Sequence, residues 1–394
     1  MGDAETQVAI VGGGPAGLMA GLTLAKLKVD SVVLEKSNYI GHPVHTSGGS
    51  WIEDLSNLGI PSNMYNPIKN AIFLSNNSRA EFYMDVAKAC VIKVRDMLQY
   101  LALKAASSGA KILVGSNVKS ITTSENRSIV RYLRNGEENT LKADYAIDSS
   151  GFSSIANRSQ AVNPNWKNFG YGVEYECWVE NLQQDTVYLM VGSKYSRAGY
   201  AWIFPVDSHR ARIGSGFLKA GANENPQKMV ESIIYNNPMI SREFGRVVPI
   251  EIHSGVVPAD GIVENSVIGH TLLAGDSAGQ VTPHIGEGIR FALKFGKLAA
   301  ETVNEALADK GNEADILKNY DKEWKSEIGS PFKRALSLQE RIFEFEDTQW
   351  DKAVKALQQL TNKQFVSFLR GDFSAKYLFS LLLTHPSLIG KLMG

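Results

Sequence analysis

Between Val8 and Ala25 the chain carries no charged residue, and the period of its hydrophobic pattern changes within that stretch. Val8-Ala-Ile-Val11 is a short, continuous apolar run, the pattern of a strand buried on both faces. Leu18, Leu22 and Ala25 then recur at helical spacing, and Ser31-Val-Val-Leu-Glu35 returns to strand. A second helix is predicted from Val94-Arg95-Asp96 through Leu98, Leu101, Ala102 and Ala105 to Gly109, with a strand at Lys111–Val114 behind it. Asp144–Asp148 reads as another strand, running into a polar glycine turn that ends near Arg158. In Gly199-Tyr-Ala-Trp-Ile-Phe-Pro205 the period is two, so Tyr200, Trp202 and Phe204 share one face. Eight residues separate Pro205 from Gly214-Ser-Gly216, which predicts an antiparallel partner strand beginning at Arg210. His270–Ala274 is again strand-like, and Ile289, Ala292, Leu293, Gly296, Ala300 and Val303 trace one helical face. From about Gly311 the pattern is helical and mixed in charge. An apolar run after Phe373 stops before Pro386, suited to capping the core or to resting on a membrane surface.

Composition narrows this picture. At 394 residues the chain is long enough for two or three domains, and its 41 basic and 41 acidic residues cancel. That balance gives no support to a nucleic-acid surface. The two cysteines, Cys90 and Cys177, are too isolated for a disulfide framework, and no metal-ligand spacing occurs. No resident metal is expected, and a reducing compartment is the default. The uncharged opening is preceded by Asp3 and Glu5 and broken by Gly12, Gly13, Gly14 and Pro15, so it reads neither as a signal peptide nor as a membrane span.

Its chemistry lies in those breakers. Gly12-x-Gly14-x-x-Gly17 sits between a buried strand and a helix, with Glu35 ending the next strand. In such a unit one glycine permits the turn, one admits a pyrophosphate and one lets helix and sheet approach closely. The pyrophosphate rests on the helix N-terminus, and the acid accepts from a ribose hydroxyl. A dinucleotide is therefore expected. Far downstream, the strand ending in Gly275-Asp276 is followed by Pro283-His-Ile-Gly-Glu-Gly288, which opens a helix. A second contact so remote suits FAD bound extended, with Asp276 on the ribityl chain and a glycine-rich helix start facing the flavin ring. The plain alternative for Asp276 is a helix N-cap. Arg95 is placed to meet cofactor phosphates or ring edge, though its spacing equally suits a solvent-facing arginine.

GGGPAG, Glu35, Arg95, the DSSG–Arg158 segment and GDSAGQVTPHIGEGI occur in the order found in flavoprotein hydroxylases of the para-hydroxybenzoate hydroxylase type, which this chain resembles from residue 8 to about 300. The Y-x-W-x-F-P run, followed by eight residues and G-x-G, resembles the signature of the geranylgeranyl reductase family, a branch of that fold. The resemblance implies a Rossmann-like FAD-binding domain (residues 1–160 and 255–310) and an inserted antiparallel-sheet substrate domain (161–254, with a contribution near 61–92). A C-terminal helical region (311–394) completes it. It implies FAD contacts at Gly12, Gly14, Pro15, Ala16, Gly17, Glu35 and Lys36, then at Thr46, Ser47, Gly49, Arg95 and Val118. Further contacts follow at Asp148, Gly151, Gly275, Asp276, Gly286, Gly288 and Ile289. It places Tyr200, Trp202, Phe204, Pro205, Gly214 and Gly216 around an isoprenoid chain, although an aromatic face packed on its own core fits the same alternation.

The match breaks at His45-Thr46-Ser47, where Thr46 stands in place of the family's cysteine. An alcohol is a weaker proton donor than a thiol by several pKa units. Thr46 and His45 are the catalytic candidates, with His284 or water as other proton sources. The expected activity is FAD-dependent saturation of isoprenoid double bonds in lipids. The alternatives are a flavin monooxygenase and a flavin- or lipid-binding protein without turnover. With no second GxGxxG, the reductant is expected to dock transiently, as NAD(P)H or a small electron-transfer protein. The expected location is cytoplasmic, at most peripheral to the membrane.

Overall fold

The computed structural model describes residues 4–217, 225–374, 377–378 and 381 of the chain. The first strand, Ala4–Val11, is the centre of a mixed sheet. It pairs in parallel with Ser31–Leu34 on one side and with Glu137–Asp148 on the other. Lys111–Leu113 and Thr271–Leu273 extend the parallel set outward. Val8 through Val11 are at most 2% exposed, as a parallel strand covered on both faces requires. Asn117–Ser124 and Arg127–Arg134 attach as antiparallel strands at the back of Glu137–Asp148.

A second sheet, antiparallel except where Thr186–Gly192 and Asn70–Leu74 pair in parallel, carries the aromatic strand. Its order runs Val247–Pro258, Phe169–Val179, Arg210–Phe217, Ser196–Pro205, Thr186–Gly192, Asn70–Leu74 and Arg79–Tyr83. The pair expected around Tyr200 is present, with Gly199 opposite Phe217 and Phe204 opposite Arg212. Gly49–Trp51, Ala89–Ile92 and Tyr65–Ile68 form a small third sheet between the two. The strand Val247–Pro258 crosses the boundary expected at residue 254. Its pairing with Phe169–Val179 persists to Pro258, which carries Val256 and Val257 from the second sheet to a cavity of the first.

The helix Pro15–Lys26 lies against Ile289–Ala308 so closely that a Cβ on Gly296 would stand 2.3 Å from the Ala16 carbonyl oxygen. The close approach brings both helix N-termini to one place. Beyond them, Glu313–Ile342 packs on the first sheet through Trp324, Tyr320 and Phe332. Asp347–Leu357 and Asn362–Arg370 fold back over the second sheet, where Phe365 stacks on Phe82 at 3.6 Å. Most of the apolar run that precedes Pro386 lies outside the described residues. Among the described residues no helix is long and apolar enough to cross a membrane.

Candidate cofactor and substrate site

A cavity of about 560 Å³ opens at the C-terminal end of the first strand. Its wall is built by the glycine turn. Gly12 has φ +106°, and a Cβ there would lie 2.3 Å from the Ser149 carbonyl oxygen. Gly14 caps the helix Pro15–Lys26 without a side-chain hydrogen bond, and the first turn holds no acid. Nothing lies within 4 Å of where a Gly14 Cβ would point. Unpaired N–H groups and the positive helix end thus face open space suited to an anion. Glu35 accepts hydrogen bonds from the Gly13 and Ser37 amides, both at 2.7 Å. A second uncapped helix start, at Gly288 before Ile289, also has no acid in its first turn and lines the same cavity.

Asp276 also lines this cavity, next to Gly275, which packs against Ala16. Surrounding protein disfavours its charged form and raises the carboxyl pKa to about 6. The native state therefore holds this proton after the unfolded chain has lost it. In flavin-free protein, stability is expected to fall as pH rises from about 4 to about 6, then level off, by at most about 3 kcal/mol. Asp276→Asn should remove that slope, a result read from thermal midpoints across the interval.

Of the residues expected at the cofactor, Gly12, Gly14, Pro15, Ala16, Glu35, Lys36, Thr46 and Val118 line this cavity, as do Gly151, Gly275, Asp276, Gly286, Gly288 and Ile289. Gly17 lies behind the wall, where its missing Cβ admits the Gly12 carbonyl. Asp148 is fully buried and accepts from the Ser150 and Ala156 amides at 3.0 and 2.7 Å, so it holds the turn. Arg95 does not line the cavity. It is ion-paired to Glu251 at 2.9 Å, beside His42. The polar wall at Ser116 and Asn117 carried no motif in the sequence, whereas Ser150 and Ser153 belong to the DSSG–Arg158 segment.

Ser47 and Gly49 line a second cavity, of about 500 Å³ and mostly apolar. Tyr200 and Phe204 form part of it, together with Ile68, Leu189 and Val191 from the sheets and Trp350, Leu357 and Leu369 from the C-terminal helices. Tyr200 is pinned by a 2.5 Å hydrogen bond to the Ile285 carbonyl. The helical wall was invisible to local periodicity, because it is assembled by packing across hundreds of residues. Cys90, set aside in the sequence, also lines this cavity, its thiol pKa driven up chiefly by burial.

A chamber of about 100 Å³ joins the two. Thr46 and Gly286 line all three spaces. Trp202 and Gly216 face this chamber rather than the apolar cavity, and the Trp202 indole donates to Glu174 at 2.9 Å. Gly214 lines none of them. A Cβ there would stand 2.3 Å from the Trp202 ring, so the glycine makes room for the indole. Pro205 is likewise outside, its carbonyl accepting from Asn66. His45 lies at the junction with Nδ1 2.9 Å from the Ser254 carbonyl. His284 lines the apolar cavity, but burial lowers its pKa to about 4, so near neutral pH it carries no extra proton to give.

These residues fit FAD: two uncapped helix starts, a glycine cradle that a Cβ would fill, and a buried acid converge on one elongated space. A model of the FAD binding domain matches residues 5–328. Over 394 residues the chain is 27% identical to digeranylgeranylglycerophospholipid reductase 2 of Methanopyrus kandleri, covering 98% of each. It is 27% identical over 393 residues to the digeranylgeranylglycerophospholipid reductase of Methanocaldococcus jannaschii, with 97% and 96% covered. The fold is shared with a geranylgeranyl bacteriochlorophyll reductase-like protein of Thermoplasma acidophilum, at TM-score 0.87 and 21% identity, over 100% of this chain and 99% of that one. A flavin-dependent brominase aligns at TM-score 0.73 and 18% identity, over 93% and 94% of the two chains. The chain belongs to the FAD-binding-domain family of flavoprotein oxidoreductases, and FAD is its cofactor.

Proposed function

We propose that the protein saturates carbon–carbon double bonds in the isoprenoid chains of lipids. One observation carries this reading: the apolar cavity and the cofactor cavity meet at Thr46, Gly286, Gly288 and Ile289. An extended hydrocarbon held in the first would reach the reacting edge of a ligand held in the second. The relatives named as digeranylgeranylglycerophospholipid reductases, matched nearly end to end, support the substrate class. The oxygenase alternative arises from Thr46, and the likeness to a p-nitrophenol 4-monooxygenase, at 14% identity, extends to the fold alone.

When bound, FAD supplies the redox chemistry, giving two electrons and one hydrogen to an alkene carbon. The residues of the chain hold and screen the reactants. The Gly12–Ala16 turn and its helix start are assigned to the pyrophosphate, Glu35 to a ribose, Asp276 to the ribityl chain and the Gly288 helix start to the ring. Tyr200 and Phe204 wall the isoprenoid, and the C-terminal helices keep water out. The electron donor docks transiently, as NAD(P)H or a small redox protein. Lipid is taken up at the cytoplasmic face of a membrane through peripheral contact.

The test is anaerobic. Dithionite-reduced holoprotein mixed with a geranylgeranyl lipid should reoxidise its flavin, and the lipid should gain mass in pairs of hydrogens. A flavin that stays reduced over unaltered lipid would refute the reading.

A further inference from the structure

Saturating an alkene needs a proton at the second carbon, and the residues first expected to supply it cannot do so unaided. Thr46 is an alcohol, and His284 carries no spare proton near neutral pH. The chamber that joins the two cavities has a third wall, however, made by Glu174 and His253. Both are buried, each 3% exposed. Glu174 is held at one oxygen by the Trp202 indole and at the other by His253 Nδ1, 3.0 Å away. Arg212 lies 3.8 Å from Glu174 and 3.3 Å from Glu176, and also donates to the Ser47 carbonyl at 2.8 Å, behind Thr46.

The cluster does not end in the core. His253 Nε2 lies 3.3 Å from Glu251 without an aligned hydrogen bond. Glu251 is partly exposed and is met by Arg95 at 2.9 Å and His42 at 3.6 Å. Burial raises the Glu251 carboxyl, but His253 and Arg95 outweigh it and hold the group below its ordinary range. Charged and titratable groups thus follow one another at 3.0 to 3.3 Å from partly exposed Glu251, through one imidazole, to Glu174 at the wall of the chamber. This run also gives Arg95 a place that the cofactor did not.

We infer that Glu251, His253 and Glu174 form a proton relay that feeds the reduction through the chamber at Thr46, an inference that rests on the reductase reading above. In that step the alkene π bond breaks. One carbon takes a hydrogen with two electrons from reduced FAD, which is oxidised, and the other takes a proton from the Thr46 hydroxyl. The Thr46 oxygen is reprotonated across the shared chamber by a proton that leaves His253 Nδ1 and passes over the Glu174 carboxylate. His253 regains a proton at Nε2 by way of the Glu251 carboxylate, which exchanges with solvent. Glu174, His253 and Glu251 act through Thr46 and are positioning residues in this scheme.

The test uses reduced holoprotein and two variants, Glu174→Gln, which keeps an acceptor for Trp202, and His253→Gln. Single-turnover reoxidation by a geranylgeranyl lipid should slow about a hundredfold or more in each, the scale of a lost acid–base group. FAD content and reoxidation by ferricyanide, which needs no proton on carbon, should stay unchanged. Thr46→Cys added to Glu174→Gln should restore much of the rate, because a thiol ionises far more readily than an alcohol. Wild-type lipid turnover with undiminished rates in both variants would overturn the relay alone, as would equal losses with lipid and ferricyanide. No lipid turnover by the wild type would overturn the reductase reading and the relay with it.

Discussion

Gly17→Ala is expected to yield protein that purifies with much less bound FAD than the wild type. An alanine Cβ at this position would stand 1.9 Å from the Gly12 carbonyl oxygen and 2.6 Å from the Ser149 hydroxyl. Neither neighbour can give way cheaply. The carbonyl belongs to the turn itself, and the Ser149 hydroxyl donates to the Val11 carbonyl at 2.8 Å. Relief requires the helix Pro15–Lys26 to move off the sheet, which carries its unpaired N–H groups away from the pyrophosphate position. Overpacking of this kind costs about 1–3 kcal/mol in a well-packed core. If that strain is relieved at the expense of the cradle, FAD affinity falls by roughly tenfold to a hundredfold, at about 1.4 kcal/mol per decade. The ratio of flavin to protein absorbance after purification reads the loss directly. A fully yellow Gly17→Ala protein would show that the close approach is not needed for the cofactor.

The second large effect is expected at the far wall. Val191 is 2% exposed, lines the apolar cavity and packs in one cluster with Trp350 and Val354. Val191→Trp should fill part of the channel and leave the cofactor cavity untouched, because Val191 has no share in that wall. Excluding one five-carbon unit removes about 0.8 kcal/mol for each buried methylene-sized group, or about 4 kcal/mol in all. That corresponds to about a thousandfold loss of affinity for a long chain. Short prenyl substrates should react nearly as before, and FAD content and reduction by dithionite should match the wild type. Equal losses on short and long chains would mean that the cavity does not measure length.

Both effects separate what is local in the sequence from what is not. The glycine cradle and its helix, the acid at residue 35, the helix after Gly288 and the antiparallel pair at Tyr200 were all legible in the chain, because each is set by period and turn chemistry over a few dozen residues. Asp276 was legible through the strand and glycine before it. Arg95, Asp148 and Pro205 were named for positions they do not take, since spacing says nothing about which partner a side chain will find. Arg95 found Glu251, 156 residues away. Asp148 turned inward to the backbone of its own turn.

The amino-acid sequence by itself determined that this protein holds a dinucleotide, because a strand, a turn without side chains and a helix must follow one another to cradle a pyrophosphate. It determined as well that Tyr200, Trp202 and Phe204 share a face, since that follows from the pleat. Only the tertiary structure decided that Trp202 faces a small chamber while Phe204 faces the apolar cavity, and that helices from the last quarter of the chain close that cavity. Those outcomes depend on burial against elements distant in sequence, where the free energy of packing, rather than local backbone preference, selects the partner.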